Sequence, residues 1–147
     1  MRVFYYCTLI IACSVLFSCS GPKRQKDAKA TAKTEVVADN NDAAAGDFIK
    51  DMYNNRKFED EEFLKGHCSE AMLKKLGDAY EYEGDGLASW LFRSGAQDGP
   101  SSRYGVVKVE PQGSGWYLYE FYDMGVKGSH SLKLVKGDKG FTIEDLK

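Results

Sequence analysis

The chain reads as an α+β protein, with helices first and an antiparallel sheet after them. Two observations predict this. Up to about residue 95 the apolar residues recur at the helical period of 3.6, whereas from Tyr104 onward they recur at every second position. The alternating segments are also joined by short glycine-containing links such as Pro111–Gly115 and Gly137–Gly140, which pair neighbours as hairpins.

Each element has its own signal. Phe48, Ile49, Met52 and Tyr53 share a face, predicting an amphipathic helix over residues 44–56. Asp60 is placed to cap a short second helix carrying Phe63 and Leu64, with Gly66 as its stop. Ser69 caps a third, in which Met72, Leu76, Ala79 and Tyr80 lie on one side. Asp85 then opens a last short helix with Leu87, Leu91 and Phe92, ending at Gly95. The stretch 95–102 is loop by its glycine, proline and serine content.

Strands are expected over 104–110, 116–123, 130–136 and 141–146. Alternation puts Val107, Val109, Tyr117, Tyr119, Phe121, Leu132, Leu134, Phe141 and Ile143 on one face. Lys108, Glu110, Glu120, Lys133 and Glu144 fall on the other. An apolar face beside a polar one means a sheet covered on one side only. The expected fold is therefore three N-terminal helices packed on one face of a curved antiparallel sheet of about four strands, over residues 46–147.

Ahead of that domain lie two segments of different character. Met1 and Arg2 give a positive start, and residues 3–17 form a mostly apolar run. As a helix it would span about 23 Å at 1.5 Å per residue, short of a hydrocarbon core of about 30 Å. A secretory signal is the better reading. The run closes on Leu16-Phe17-Ser18-Cys19, and Ser20-Gly21-Pro22-Lys23-Arg24 turns polar at once. This resembles the lipobox of bacterial lipoproteins, which implies a signal peptide over 1–18 and a diacylated Cys19. Ile10-Ile11-Ala12-Cys13 also scans as a lipobox, but cutting there would leave too short an apolar run before it. Two or three acyl chains anchor durably where one binds only marginally. With Cys7 and Cys13 removed and Cys19 lipidated, Cys68 stands alone, so no internal disulfide is expected.

Residues 19–45 read as a flexible basic tether, without aromatic residues or a sustained apolar period. Such a coil would span about 28 Å. Lys23, Arg24, Lys26, Lys29 and Lys33 against Asp27 give residues 20–34 a net charge of +4; with that and Arg2 taken from the whole-chain −2, residues 35–147 carry −7. A basic segment beside the lipid suits anionic head groups or simple solubility. An acidic domain argues against nucleic acid as a partner. Ser20, rather than aspartate, follows the cysteine, and no acidic run accompanies it, so the resemblance places the protein in the cell envelope, at the outer membrane facing the periplasm.

The order of helices before a meander that ends Val135-Lys136-Gly137-Asp138-Lys139-Gly140-Phe141-Thr142-Ile143-Glu144-Asp145-Leu146 is similar to the nuclear transport factor 2-like superfamily, with a cystatin-like fold. It departs from the usual ending in having Phe141 where tryptophan is frequent. The resemblance implies a cavity between sheet and helices. Tyr53, Tyr117, Tyr119, Phe121 and His130 are the side chains expected to line it. Some relatives catalyse there, as isomerases or dehydratases, whereas many only bind or dimerise.

Nothing in the motifs calls for a metal, a cofactor or a catalytic site. His67 and His130 are the only histidines, too few for a zinc site of three or four ligands. The run Glu59-Asp60-Glu61-Glu62 is explained by the dipole at a helix start. The calcium-loop-like start at Asp39 has Ala44 and Lys50 where glycine and glutamate are required. Ser20-Gly21-Pro22-Lys23 has the serine-x-x-lysine spacing of penicillin-binding enzymes, but lies in the tether without companion motifs. Asp51, Tyr53, Asp123 and Tyr119 supply an acid, a base and phenols by type only. Trp116, Leu118 and Tyr122 alternate with the core side of their strand, offering an outward patch for a homodimer or another partner. The expected function is a non-enzymatic, lipid-anchored lipoprotein that binds a small ligand or a protein. A cavity enzyme acting on a small hydrophobic substrate and an assembly or inhibitor module are the alternatives.

Overall fold

A computed structural model describes the backbone from Thr31 to Lys147 and side chains from Asn40 onward. The signal peptide, Cys19 and the first part of the tether lie outside the described residues. Helix α1 (Thr31–Asn54) leads to a 3-10 turn (Lys57–Glu59), α2 (Glu61–His67), α3 (Glu70–Asp78) and a second 3-10 turn (Ser89–Phe92). Strands β1 (Gly105–Gly113), β2 (Trp116–Asp123), β3 (Val126–Gly137) and β4 (Gly140–Leu146) follow as an antiparallel meander in the order β1-β2-β3-β4. The α+β expectation therefore holds, with three helices ahead of a four-stranded open sheet among the described residues.

Two of the three expected caps, Asp60 and Ser69, fall where the sequence puts them, whereas Asp85 caps nothing, the last turn starting after Ala88 without a side-chain cap. Asp60 accepts from the Glu62 backbone N–H at 2.9 Å and Ser69 from that of Met72 at 3.2 Å. Ala45, Ile49, Met52 and Tyr53 of α1, with Leu64, Met72 and Leu76 of the shorter helices, are buried against Tyr119, Phe121, Leu132 and Ile143 of the sheet. Each of the larger aliphatic side chains and Phe121 contributes roughly 1.5–3 kcal/mol by leaving water.

Four expectations are corrected. First, α1 begins at Thr31, so it takes in the C-terminal part of the stretch expected to be coil. The Tyr117 hydroxyl donates to Asp42 at 2.8 Å and Lys136 to Asn41 at 2.8 Å, tying this turn to the sheet; tertiary contacts supply what local propensity lacked. Second, the helix expected after Asp85 is only the 3-10 turn Ser89–Phe92, too short for a full helical period. Third, Val107 is 48 % exposed. A bulge between Val106 and Lys108 shifts the register by one, so Val106, opposite Phe121, takes the inward place. Fourth, β3 starts at Val126 rather than at His130, because Met124 and Gly125 both adopt positive φ and close a two-residue hairpin. Strand β1 also runs on through Pro111, which an edge strand tolerates.

Candidate functional site

Strand β2 buries every second residue: Tyr117, Tyr119, Phe121 and Asp123 point inward. The alternation that buries three rings thus buries a carboxylate at its end. Asp123 is fully enclosed, and it is the only buried charged residue among those described. Burial of an ion demands a partner. Arg93 supplies it in a bidentate pair, Nε to Oδ2 and Nη2 to Oδ1, each at 3.0 Å. Ser94 adds its hydroxyl to Oδ2 at 3.1 Å and its backbone N–H at 3.4 Å. Burial pushes the Asp123 carboxyl up, but the Arg93 hydrogen bonds and charge, with those of Ser94, outweigh it and hold the group below the ordinary carboxylate value.

Residues 92–94, at the end of the second 3-10 turn, are gripped one after another. The Tyr119 hydroxyl donates to the Phe92 carbonyl at 3.3 Å. His130 Nε2 lies 2.9 Å from the Arg93 carbonyl oxygen, which can only accept, so this nitrogen carries the proton. Asp123 then holds Arg93 and Ser94. The sheet therefore fixes the backbone from which the guanidinium projects.

Of the five residues expected to line a cavity, Tyr53, Tyr119, Phe121 and His130 are brought together. Their rings touch: Tyr53 is 4.6 Å from Phe121 and 6.0 Å from Tyr119 between centroids, and His130 lies 5.4 Å from Phe121 and 5.9 Å from Tyr119. They fill the space between α1 and the sheet by mutual contact. Tyr104 stacks on Tyr53 at 5.1 Å and donates its hydroxyl to the Tyr53 carbonyl at 3.0 Å. Tyr117 faces inward elsewhere, bonded to Asp42. Burial pushes the Tyr104 phenol up to about 12 and raises those of Tyr53 and Tyr119 further, so all three stay neutral. The Tyr53 hydroxyl is buried and has no hydrogen-bond partner among the described residues.

The outward residues Trp116, Leu118 and Tyr122 are half-buried. Lys147 Nζ sits 3.7 Å over the Trp116 ring and the Arg103 guanidinium 3.5 Å over that of Tyr122, so two of the three already carry a cation. Asp51 is exposed and paired with Lys57 at 2.7 Å, away from the cluster. His67 packs between Phe48 and Phe63 and donates Nδ1–H to the Phe141 carbonyl at 3.1 Å. The acids of the α2 start are taken up locally, Glu59 by Arg56 at 2.6 Å and Glu61 by Lys65 at 2.7 Å. Among the described residues no three metal-ligating side chains converge, and no helix is long and apolar enough to cross a membrane.

Arg93 is the site residue that sequence reasoning missed. Its only signal was a basic residue directly after the apolar Trp90-Leu91-Phe92, at a place where a buried cation needs an acid. It also lines an open groove of about 340 Å³ beside Trp90 and Tyr82, so the buried pair reaches solvent through its basic member. No protein-family model, no curated protein and no solved structure matches the chain.

Proposed function

We propose that the chain is a lipid-anchored lipoprotein of the cell envelope, at the outer membrane facing the periplasm, whose domain binds a ligand without transforming it. The anchor is supported by the apolar N-terminal run that closes on Leu16-Phe17-Ser18-Cys19. The order of three helices before a four-stranded meander supports a nuclear transport factor 2-like, cystatin-like domain.

The observation that carries the binding reading is the Arg93–Asp123 pair. A general base needs a carboxylate with a pKa near the working pH and a lone pair free for substrate. Asp123 has the opposite character: it is held ionised by four hydrogen bonds from Arg93 and Ser94. Tyr53 and Tyr119, in the same core, are neutral phenols enclosed by other rings. Such a cluster fixes a guanidinium rigidly and offers its outer edge to a ligand.

Intact-mass measurement of the purified protein tests the anchor. The expected species starts at Cys19 with two or three acyl chains, and the Cys19→Ala variant leaves the membrane fraction. A variant that still pellets with membranes, or an unmodified start, would overturn the assignment.

A further inference from the structure

The groove next to Arg93 has walls of two kinds. One side is aromatic: Tyr82 and Trp90 stand at 90° with centroids 5.7 Å apart, and Tyr80 backs both at 5.6 and 5.7 Å. Tyr82 is 70 % exposed, the most exposed large hydrophobic side chain among the described residues. The other side is polar. Arg93 is locked by Asp123 through Nε and Nη2, while its remaining terminal nitrogen makes no hydrogen bond among the described residues. Glu81 and Gln97 are exposed at the same groove and form no ion pair or side-chain hydrogen bond there.

Charge and shape narrow the ligand. An organic cation would find two aromatic faces but would meet the Arg93 guanidinium. An anion would find that guanidinium, but its charge is already matched by the ionised Asp123, and the Glu81 carboxylate stands at the same groove. A neutral ring with an apolar C–H face and hydroxyls around its edge opposes neither. Its flat face stacks on an aromatic side chain, and its hydroxyls both accept from a guanidinium and donate to a carboxylate. The volume of about 340 Å³ lies at the small end of ligand sites, which run from about 300 to 1,000 Å³.

We propose that this groove binds a neutral saccharide, with a pyranose ring stacked on Trp90 beside Tyr82, Arg93 donating to its hydroxyls, and Glu81 and Gln97 completing the edge. The proposal rests on the ligand-binding reading above and names the ligand class.

The chain has two tryptophans, so Trp116→Phe leaves Trp90 as the only indole. That full-length variant, in octaethylene glycol monododecyl ether micelles, is titrated with cellotetraose, maltotetraose, xylotetraose, mannotetraose and chitotetraose while Trp90 emission is followed. At least one sugar is expected to give a saturable change below about 10 mM, a concentration that fills a site of millimolar Kd. Glu81→Ala and Tyr82→Ala, both at exposed positions, are expected to weaken that response at least tenfold with an unchanged circular dichroism spectrum. No response to any of the five sugars overturns the proposal, as does a response that both variants leave intact. A saturable response to choline or benzoate in place of the sugars overturns the saccharide but keeps the binding reading. A sugar that binds and is cleaved, seen as new reducing ends, keeps the saccharide and overturns the non-catalytic reading.

Discussion

The Arg93 guanidinium meets the Asp123 carboxylate along its whole edge, two hydrogen bonds of 3.0 Å between residues thirty positions apart. Asp123 is fully buried, whereas the Arg93 side chain keeps 24 % of its surface. Removing the cation alone strands a charge in the core. Arg93→Leu is therefore expected to cost about 3 kcal/mol at pH 7, read as a lower urea midpoint. Arg93→Leu with Asp123→Leu is expected to recover most of that loss, because no buried charge is then left unpaired. Equal instability of the single and double variants would contradict the pairing.

The same pair sets an acid limb. The folded carboxyl of Asp123 lies below its ordinary value, so the folded state binds its proton less readily than the unfolded chain does. Its contribution is complete above the unfolded pKa of about 3.9 and is lost as pH falls through the folded one. Urea midpoints measured from pH 6 down to pH 2 are expected to drop below about pH 4. The Asp123→Asn variant should start less stable and drop less steeply over that range.

How far the sequence carried this picture follows from which interactions are local. The caps at Asp60 and Ser69, the core stripe of α1 and the inward phase of Tyr117, Tyr119 and Phe121 need only neighbours a few residues away, and period and residue type reveal them. Asp123 shared that phase, but a carboxylate on a core face is legible only as a demand for a partner. That partner comes from the segment after the second 3-10 turn, and no spacing rule links the two. Val107 misleads for a related reason: the bulge that turns it outward lies in the pairing of β1 with β2, not in either strand alone. The turn of α1 at Asn41 and Asp42, ahead of the stripe that begins at Phe48, is likewise held by distant residues, Lys136 and Tyr117.

Tyr53 carries a cost that a substitution should remove. Its hydroxyl is buried with no partner among the described residues, and an unsatisfied buried group costs about 1–3 kcal/mol. Tyr53→Phe keeps the ring between Phe121 and Tyr104 and deletes only the oxygen. The variant is expected to equal or exceed the parent in thermal midpoint. A loss above about 1 kcal/mol would mean that the hydroxyl is bonded in solution.

Cys68 packs in the core where α2 meets β4, and burial pushes its thiol up to about 12. The thiolate is the reactive form, so at pH 8 only about one molecule in ten thousand would carry it. In a chain lacking residues 1–19, where Cys68 is the one cysteine, a disulfide reagent is expected to label it slowly in buffer and rapidly in urea. Rapid labelling of the folded protein would place the thiol at the surface.

The β1–β2 hairpin offers a gain in stability. Ser114 and Gly115 both adopt positive φ, at 53° and 78°, the mark of a type I′ turn. Glycine suits its position, since a Cβ there would stand 2.7 Å from the Leu134 carbonyl oxygen. Serine does not favour a left-handed backbone, whereas asparagine tolerates it. Ser114 is exposed, so nothing is lost from the core by changing it. Ser114→Asn is expected to raise stability by about 0.5 kcal/mol by relieving this strain. For a domain of about 100 residues that amounts to roughly 2–4 °C in thermal midpoint. Ser114 and Arg93 share no partner, so Ser114→Asn is expected to offset the loss caused by Arg93→Leu only additively.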